Sequence, residues 1–274
     1  MTDRFADQRW ERQTAPQLLA LAAAGALPIL PVASLEQHGP HLPVWTDSAL
    51  GHETSLRAAA RIGNAIVLPP MWMGMSEHHL PFGGTISLDY KTFAAVLGCV
   101  GRSLQACGFG RLLLVNSHGG NIDPLAVAAR ELAVELDMPI VVATPSKIAE
   151  AALGAVLETQ SGMQHACEAE TSAWLAIDPD QVRVEMLAAA FSNVPPVGNE
   201  PAGAFRFWSF AERAPATGVR GDPRAATAAK GEAILEAMAE AVARLGRDPT
   251  LWRRPDPVWT RSRPGLDLDG RAGV

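Results

Sequence analysis

Apolar residues along this chain gather in short continuous runs that alternate with longer amphipathic stretches. The runs LPILPVA (27–33), AIVL (65–68), RLLLVN (111–116) and PIVVA (139–143) are strand-length and almost wholly apolar, as strands covered on both faces are. Helix-length segments lie between them. One helix, through 18–24, has Thr14 as its cap, Pro16 in its first turn and Gly25 as its stop. Others are predicted from Asp47 to Gly63, Asp89 to Cys107, Asp123 to Leu136, about 165–177, and onward from Asp222 and Pro223. This alternation predicts a three-layer α/β/α sandwich with a mostly parallel central sheet and right-handed crossovers. The stretch from about 191 to 221 is irregular and rich in Pro, Gly and aromatics, and the Arg/Asp/Pro-rich end, 252–274, reads as a surface tail. No repeat, low-complexity block or Gly/Ser linker divides residues 1–274, which read as a single domain.

Composition narrows the partners. With 274 residues, 48% apolar and 19% charged, the chain can bury a sizeable core. A net charge of −6 argues against nucleic acid and anionic membrane surfaces, leaving small molecules and other subunits. No apolar run reaches the roughly 20 residues a membrane span needs, and the polar start MTDRFADQRW has no signal-peptide core, so the cytoplasm is the expected location. Cys99, Cys107 and Cys167, an odd number at unrelated spacings, imply no disulfide framework.

Ligand sites of open parallel sheets lie beyond the carboxyl ends of the strands. Two polar clusters fall there: SLEQHGPHLPVWTD (34–47) after the first strand and NSHGGN (116–121) after the third. Glu36 and His38, two apart, point to one side of an extended segment, and Asp47 at the next helix start can return to them. With His118 they supply two carboxylates and two imidazoles, ligands suited to Zn, Mn or Fe. A third cluster, MQHACEAETS (163–172), places His165 and Glu168 three apart, on one face of a helix.

The segments LEQHGPHLP (35–43) with Thr46 and Asp47, NSHGGN (116–121), HACEAETS (165–172), TGVRGDPRAATAAKG (217–231) and SEHHLPFGGTISL (76–88) together resemble the creatininase family of metal-dependent amidohydrolases. The match runs in the same order through most of 27–235. The resemblance implies two divalent metal ions per subunit, with Glu36 and His118 holding one, His38 helping to hold the other and Asp47 bridging them. Creatininase itself completes its second metal site with a glutamate two residues after the equivalent of His118. Gly120 stands at that position here, which places the chain with the branch carrying H-G-G-N, makes creatinine a doubtful substrate and leaves Glu168 to complete the site.

The implied reaction is hydrolysis of a carbon–nitrogen bond, other than a peptide bond, in a small amide, cyclic amide or formamide. Two cations sharing Asp47 would acidify a bridging water to a pKa of about 7. His165, not needed as a ligand, is the candidate acid for the leaving nitrogen, and Glu170 is expected to orient a ligand or its partner. Gly119 and Gly120 either offer backbone N–H groups to a substrate or simply make a tight turn. Glu77, His78 and His79 are expected to line the pocket or a subunit contact. Two rivals remain: a metal- or ligand-binding relative without turnover, and a thiol hydrolase using Cys167 with His165 or His118 as base. The aromatic run FRFWSF (205–210) suits a lid or an interface, and the family's usual assembly implies a homo-oligomer, a hexamer.

Overall fold

A computed structural model describes residues 5–191 and 217–253; the aromatic run 205–210 and the tail beyond 253 lie outside the described residues. In chain order the helices and strands are α1 (Ala15–Ala23), β1 (Leu27–Val32), α2 (Thr46–Ile62), β2 (Ala65–Val67), α3 (Tyr90–Ala106), β3 (Leu112–Asn116), α4 (Ile122–Leu136), β4 (Ile140–Ala143), the short α5 (Pro145–Ile148) and α6 (Glu150–Gly154), α7 (Glu168–Ile177), α8 (Leu187–Ala190), α9 (Ala228–Arg247) and α10 (Pro249–Trp252). Caps set several starts as the sequence suggests. Gln17 returns its side chain to the Thr14 N–H at α1, and Asp89 accepts from Thr92 N at α3.

The four strands pair in parallel in the order β2-β1-β3-β4, with Ile29 beside Val67 on one side and Leu113 on the other. Alternate strand residues feed opposite faces. Leu30, Val32, Leu112 and Leu114 pack with Phe93, Leu97 and Leu104 of α3 and Leu125 and Leu132 of α4. Leu27, Ile29, Leu113 and Val115 pack with Leu56 and Ala59 of α2 and Val242 and Ala243 of α9. The result is a three-layer α/β/α sandwich, as the sequence predicts. No helix among the described residues is long and apolar enough to cross a membrane.

Two helix starts differ from expectation. The helix expected from about 165 begins at Glu168, because Ala166 adopts a left-handed conformation (φ 52°) and His165 pairs its backbone with Arg220 instead. The helix expected from Asp222 begins at Ala228: the Asp222 carboxylate binds the backbone and side chain of Arg224, holding a turn that competes with the helix, and Thr227 then caps α9.

The order β2-β1-β3-β4 makes the gap between β1 and β3 the point where successive connections leave in opposite directions. A crevice beyond the strand ends is expected there, and both polar clusters open into it.

Candidate active site

Each site residue hangs from a strand end or a helix start. Beyond β1 the chain turns back on itself, with Glu36 N donating to Val44 O and His38 paired with Leu42, which holds Glu36 and His38 over the sheet edge. Thr46 Oγ1 donates to Pro43 O at 2.7 Å and accepts from Trp174 Nε1 at 2.8 Å, tying the start of α2 to α7 and setting Asp47 in the first helical turn. Beyond β3, Asn116 Oδ1 accepts from His118 N at 3.2 Å. Asn121 then stitches the loops together, donating to Ala33 O at 3.0 Å and accepting from Met75 N at 3.0 Å.

The side chains converge. His118 Nδ1 lies 3.1 Å from Glu36 Oε2 and 3.2 Å from Asp47 Oδ2. His38 Nε2 lies 3.5 Å from Asp47 Oδ1 and 3.7 Å from Glu170 Oε2. His165 Nδ1 and His79 Nε2 both face Glu36 Oε1 at 3.4 Å. Ser76 Oγ donates to Glu36 Oε2 at 2.6 Å and contacts His118 Nε2 at 3.0 Å, with Ser34 Oγ against it. Glu36, His38, Asp47, His118 and Glu170 are all buried.

Three buried carboxylates so close together need positive charge nearby. Burial opposes ionisation of Glu36, yet the charge on His118 and its hydrogen bond outweigh it and hold this carboxyl well below the usual range. Burial likewise opposes a charge on His38, but Asp47 and Glu170 raise it to about 9, and Glu36 and Asp47 hold His118 well above the ordinary imidazole value. Glu170 is pushed up to about 7 by burial. Burial keeps His165 well below its usual value and lowers His79 to about 3.

The donor set fits divalent cations. His38 Nε2 and Asp47 Oδ2 are buried with ion-pair neighbours but no well-formed hydrogen bond, a condition metal ligation relieves. Glu36, His38 and His165 present ligand atoms within 4.8 Å of one another, and so do Glu36, His78 and His118, and His38, Asp47 and Glu170. The oxygen and imidazole ligands are those of Zn, Mn or Fe sites.

Known proteins resemble this chain in sequence and fold. Residues 11–245 match the family described as creatininase, creatinine amidohydrolase. The chain belongs to the creatininase family. It is 34% identical over 228 residues to the mycofactocin precursor peptide peptidase of Mycobacterium ulcerans, covering 80% of this chain and 84% of that one. To the creatinine amidohydrolase of Pseudomonas putida it is 31% identical over 243 residues, 81% and 89% of the two chains. The crystal structure of creatinine amidohydrolase superposes with a TM-score of 0.73 at 30% identity, over 87% of this chain and 96% of that chain. Solved creatininases include a manganese form and a mutant of zinc–zinc type. The chain is a hydrolase of carbon–nitrogen bonds, built on a metal-dependent amidohydrolase scaffold.

Within this creatininase fold the sequence-predicted residues divide. Glu36, His38, Asp47, His118 and His165 lie together, whereas Glu168 does not join them. Its carboxylate accepts from the backbone N–H groups of Glu158 and Thr159, from Thr159 Oγ1 at 2.6 Å and from Lys230 Nζ at 2.6 Å. Glu170, expected one shell out, takes the place beside His38 and Asp47. The helical-face argument for His165 and Glu168 fails because His165 precedes the helix. Cys167 is buried in the apolar cluster around Trp174, its Sγ accepting from Gln164 N, and burial raises the thiol to about 11; it is no ready nucleophile.

Gly119 and Gly120 open the short turn Gly119–Asn121. A Cβ on Gly120 would collide with His118 Nε2, Met75 O and His78 Cε1, so no side chain fits where creatininase itself carries its glutamate. His78 occupies that side, its ring stacked on His118 at 5.7 Å, while Glu77 is exposed. Sequence reasoning missed Ser76, Gln37, His41 and Thr171. His41 Nε2 meets Thr171 Oγ1 at 2.9 Å, joining the first loop to α7 next to Glu170. Nothing in their spacing marks these residues, since the contacts that Ser76 makes to Glu36, Gln37 to His79 and His41 to Thr171 span forty or more positions.

Proposed function

We propose that the chain is a dinuclear amidohydrolase that opens a C–N bond in a small amide, cyclic amide or formamide. Glu36 and His118 would hold one divalent cation, His38 and Glu170 the other, and Asp47 both, with Zn, Mn or Fe as the metals. The observation that carries this reading is the meeting of Glu36, Asp47 and Glu170 with His38 and His118, two of whose buried polar atoms make no well-formed hydrogen bond. Such cations, when bound, acidify water and polarise a carbonyl.

The chain's own residues do the rest. His165, held neutral by burial, can take up a proton and return it to the departing nitrogen. Ser76 keeps Glu36 oriented by its 2.6 Å hydrogen bond. Gly120 keeps the floor beside His118 open to His78. A working homo-oligomer, a hexamer, is part of this reading and is checked by light scattering.

A peptide substrate is the second reading, favoured by the 34% identity to mycofactocin precursor peptide peptidases. The test is a panel of small amides, formamides and short peptides incubated with metal-loaded and with chelator-dialysed protein. Hydrolysis only by the loaded protein, together with a higher unfolding temperature on metal addition, is the expected result. Full activity in rigorously metal-free protein would overturn the reading, and cleavage confined to peptides would move the second reading to first place.

A further inference from the structure

Gln37 stands between two of the proposed ligands and its buried carboxamide reaches four neighbours. Its Oε1 accepts from Gly39 N at 2.9 Å. Its Nε2 lies 3.0 Å from Gly218 O, 2.8 Å from His79 Nδ1 and 3.0 Å from His165 Nε2. Gly218 has φ +73°, and a Cβ on it would run into the Gln37 side chain, so a glycine there makes room for the amide.

The orientation of this amide is decided by groups that have no choice of role. Gly39 N–H can only donate and Gly218 C=O can only accept; turning the amide over would set donor against donor and acceptor against acceptor. An amide nitrogen donates and accepts nothing. His79 Nδ1 and His165 Nε2 therefore present lone pairs to it. An imidazole that offers a lone pair at one nitrogen carries its proton on the other, so the protons sit on His79 Nε2 and His165 Nδ1. Those two atoms are the ones that face Glu36 Oε1, each at 3.4 Å. The other oxygen, Oε2, accepts from Ser76 Oγ at 2.6 Å and has its remaining lone pair on the side of His118 Nδ1, at 3.1 Å, and of Asp47.

We infer that Gln37 is a positioning residue: by setting the tautomers of His79 and His165, it directs two N–H groups onto Glu36 Oε1 and reserves Oε2, the oxygen facing His118, for a cation. The assignment of Oε2 to a cation rests on the proposed metal site; the tautomers do not. The amide has two hydrogens for three acceptors, so one lone pair is always incompletely served.

The test reads ring nitrogens directly. Long-range ¹H–¹⁵N correlation spectra of the full chain, assigned with His79→Gln and His165→Gln, separate protonated from unprotonated positions. Unprotonated Nδ1 on His79 and unprotonated Nε2 on His165 are expected. Gln37→Glu puts an acceptor where the donor was, and should turn both rings to the opposite tautomer while lowering kcat about 10–100-fold with KM little changed. Opposite tautomers in the wild-type chain, or unchanged ones in a folded Gln37→Glu, would overturn the inference. If Gln37→Glu does not fold, the wild-type spectrum alone decides. Wild-type tautomers as expected in a protein that hydrolyses no amide would remove the functional reading and leave the role of Gln37 standing.

Discussion

The carboxylates of Glu168 and Glu170, two residues apart in the first turn of α7, serve different parts of the protein. Glu168 holds the 158–159 loop and Lys230 of α9, whereas Glu170 Oε2 accepts from Ala166 N at 2.5 Å and faces His38 Nε2 at 3.7 Å. Two steps along a helix turn a side chain through about 200°, so one acid braces the helix and the other enters the site.

The two acids should separate on substitution. Glu170→Gln is expected to reduce metal content to about one ion per subunit after dialysis, a loss beyond the ~10–100-fold typical of supporting residues. Glu168→Gln should keep its metals and lose on the order of 1–3 kcal/mol of stability, because buried partners go unpaired. Elemental analysis and urea unfolding read the two effects. Normal metal retention in Glu170→Gln would return the ligand question to Glu168.

Gly120→Ala places a methyl group against His118, Met75 O and His78. Overpacking of this kind is destabilising by about 1–3 kcal/mol, and here it also displaces a proposed ligand. A lower urea midpoint together with weaker metal binding is expected; a variant matching the wild type in both would show that the turn yields freely.

Cys167→Ala should retain most of the hydrolytic activity, since the thiol is raised to about 11 by burial and packs among apolar side chains. Exposed Cys99 should be alkylated well before Cys167. A fall to background activity with metals still bound would restore the thiol mechanism.

Acid should weaken the fold through His41. Burial, with His38 nearby, lowers it from 6.5 to about 4. Its folded-state pKa lies below the unfolded one, so between these values the unfolded chain binds the extra proton. The contribution is complete above about pH 6.5 and disappears as pH falls to about 4, a loss on the order of 3 kcal/mol at 1.36 kcal/mol per unit. Urea midpoints measured across this range should fall with pH, and His41→Asn should flatten that slope. An unchanged slope in a folded His41→Asn would assign the acid sensitivity elsewhere.

What the sequence determined by itself is set by local rules: continuous apolar runs for buried strands, caps for helix starts, and chemistry placed just after strands. Glu36, His38, Asp47 and His118 were legible in this way, because their positions depend on nearby strand and helix ends and on residue types with few other shared uses. The choice between Glu168 and Glu170 was not, since it turns on Ala166 taking a left-handed conformation and delaying the helix until Glu168. Ser76, Gln37 and Gly218 reach the same site from segments far apart in the chain, and only packing decides that they meet. Hydrogen-bond direction belongs to the same category. Which nitrogen of His79 or His165 carries a proton depends on an amide fixed by Gly39 and Gly218, a constraint that exists only once the sheet has brought those segments to one edge.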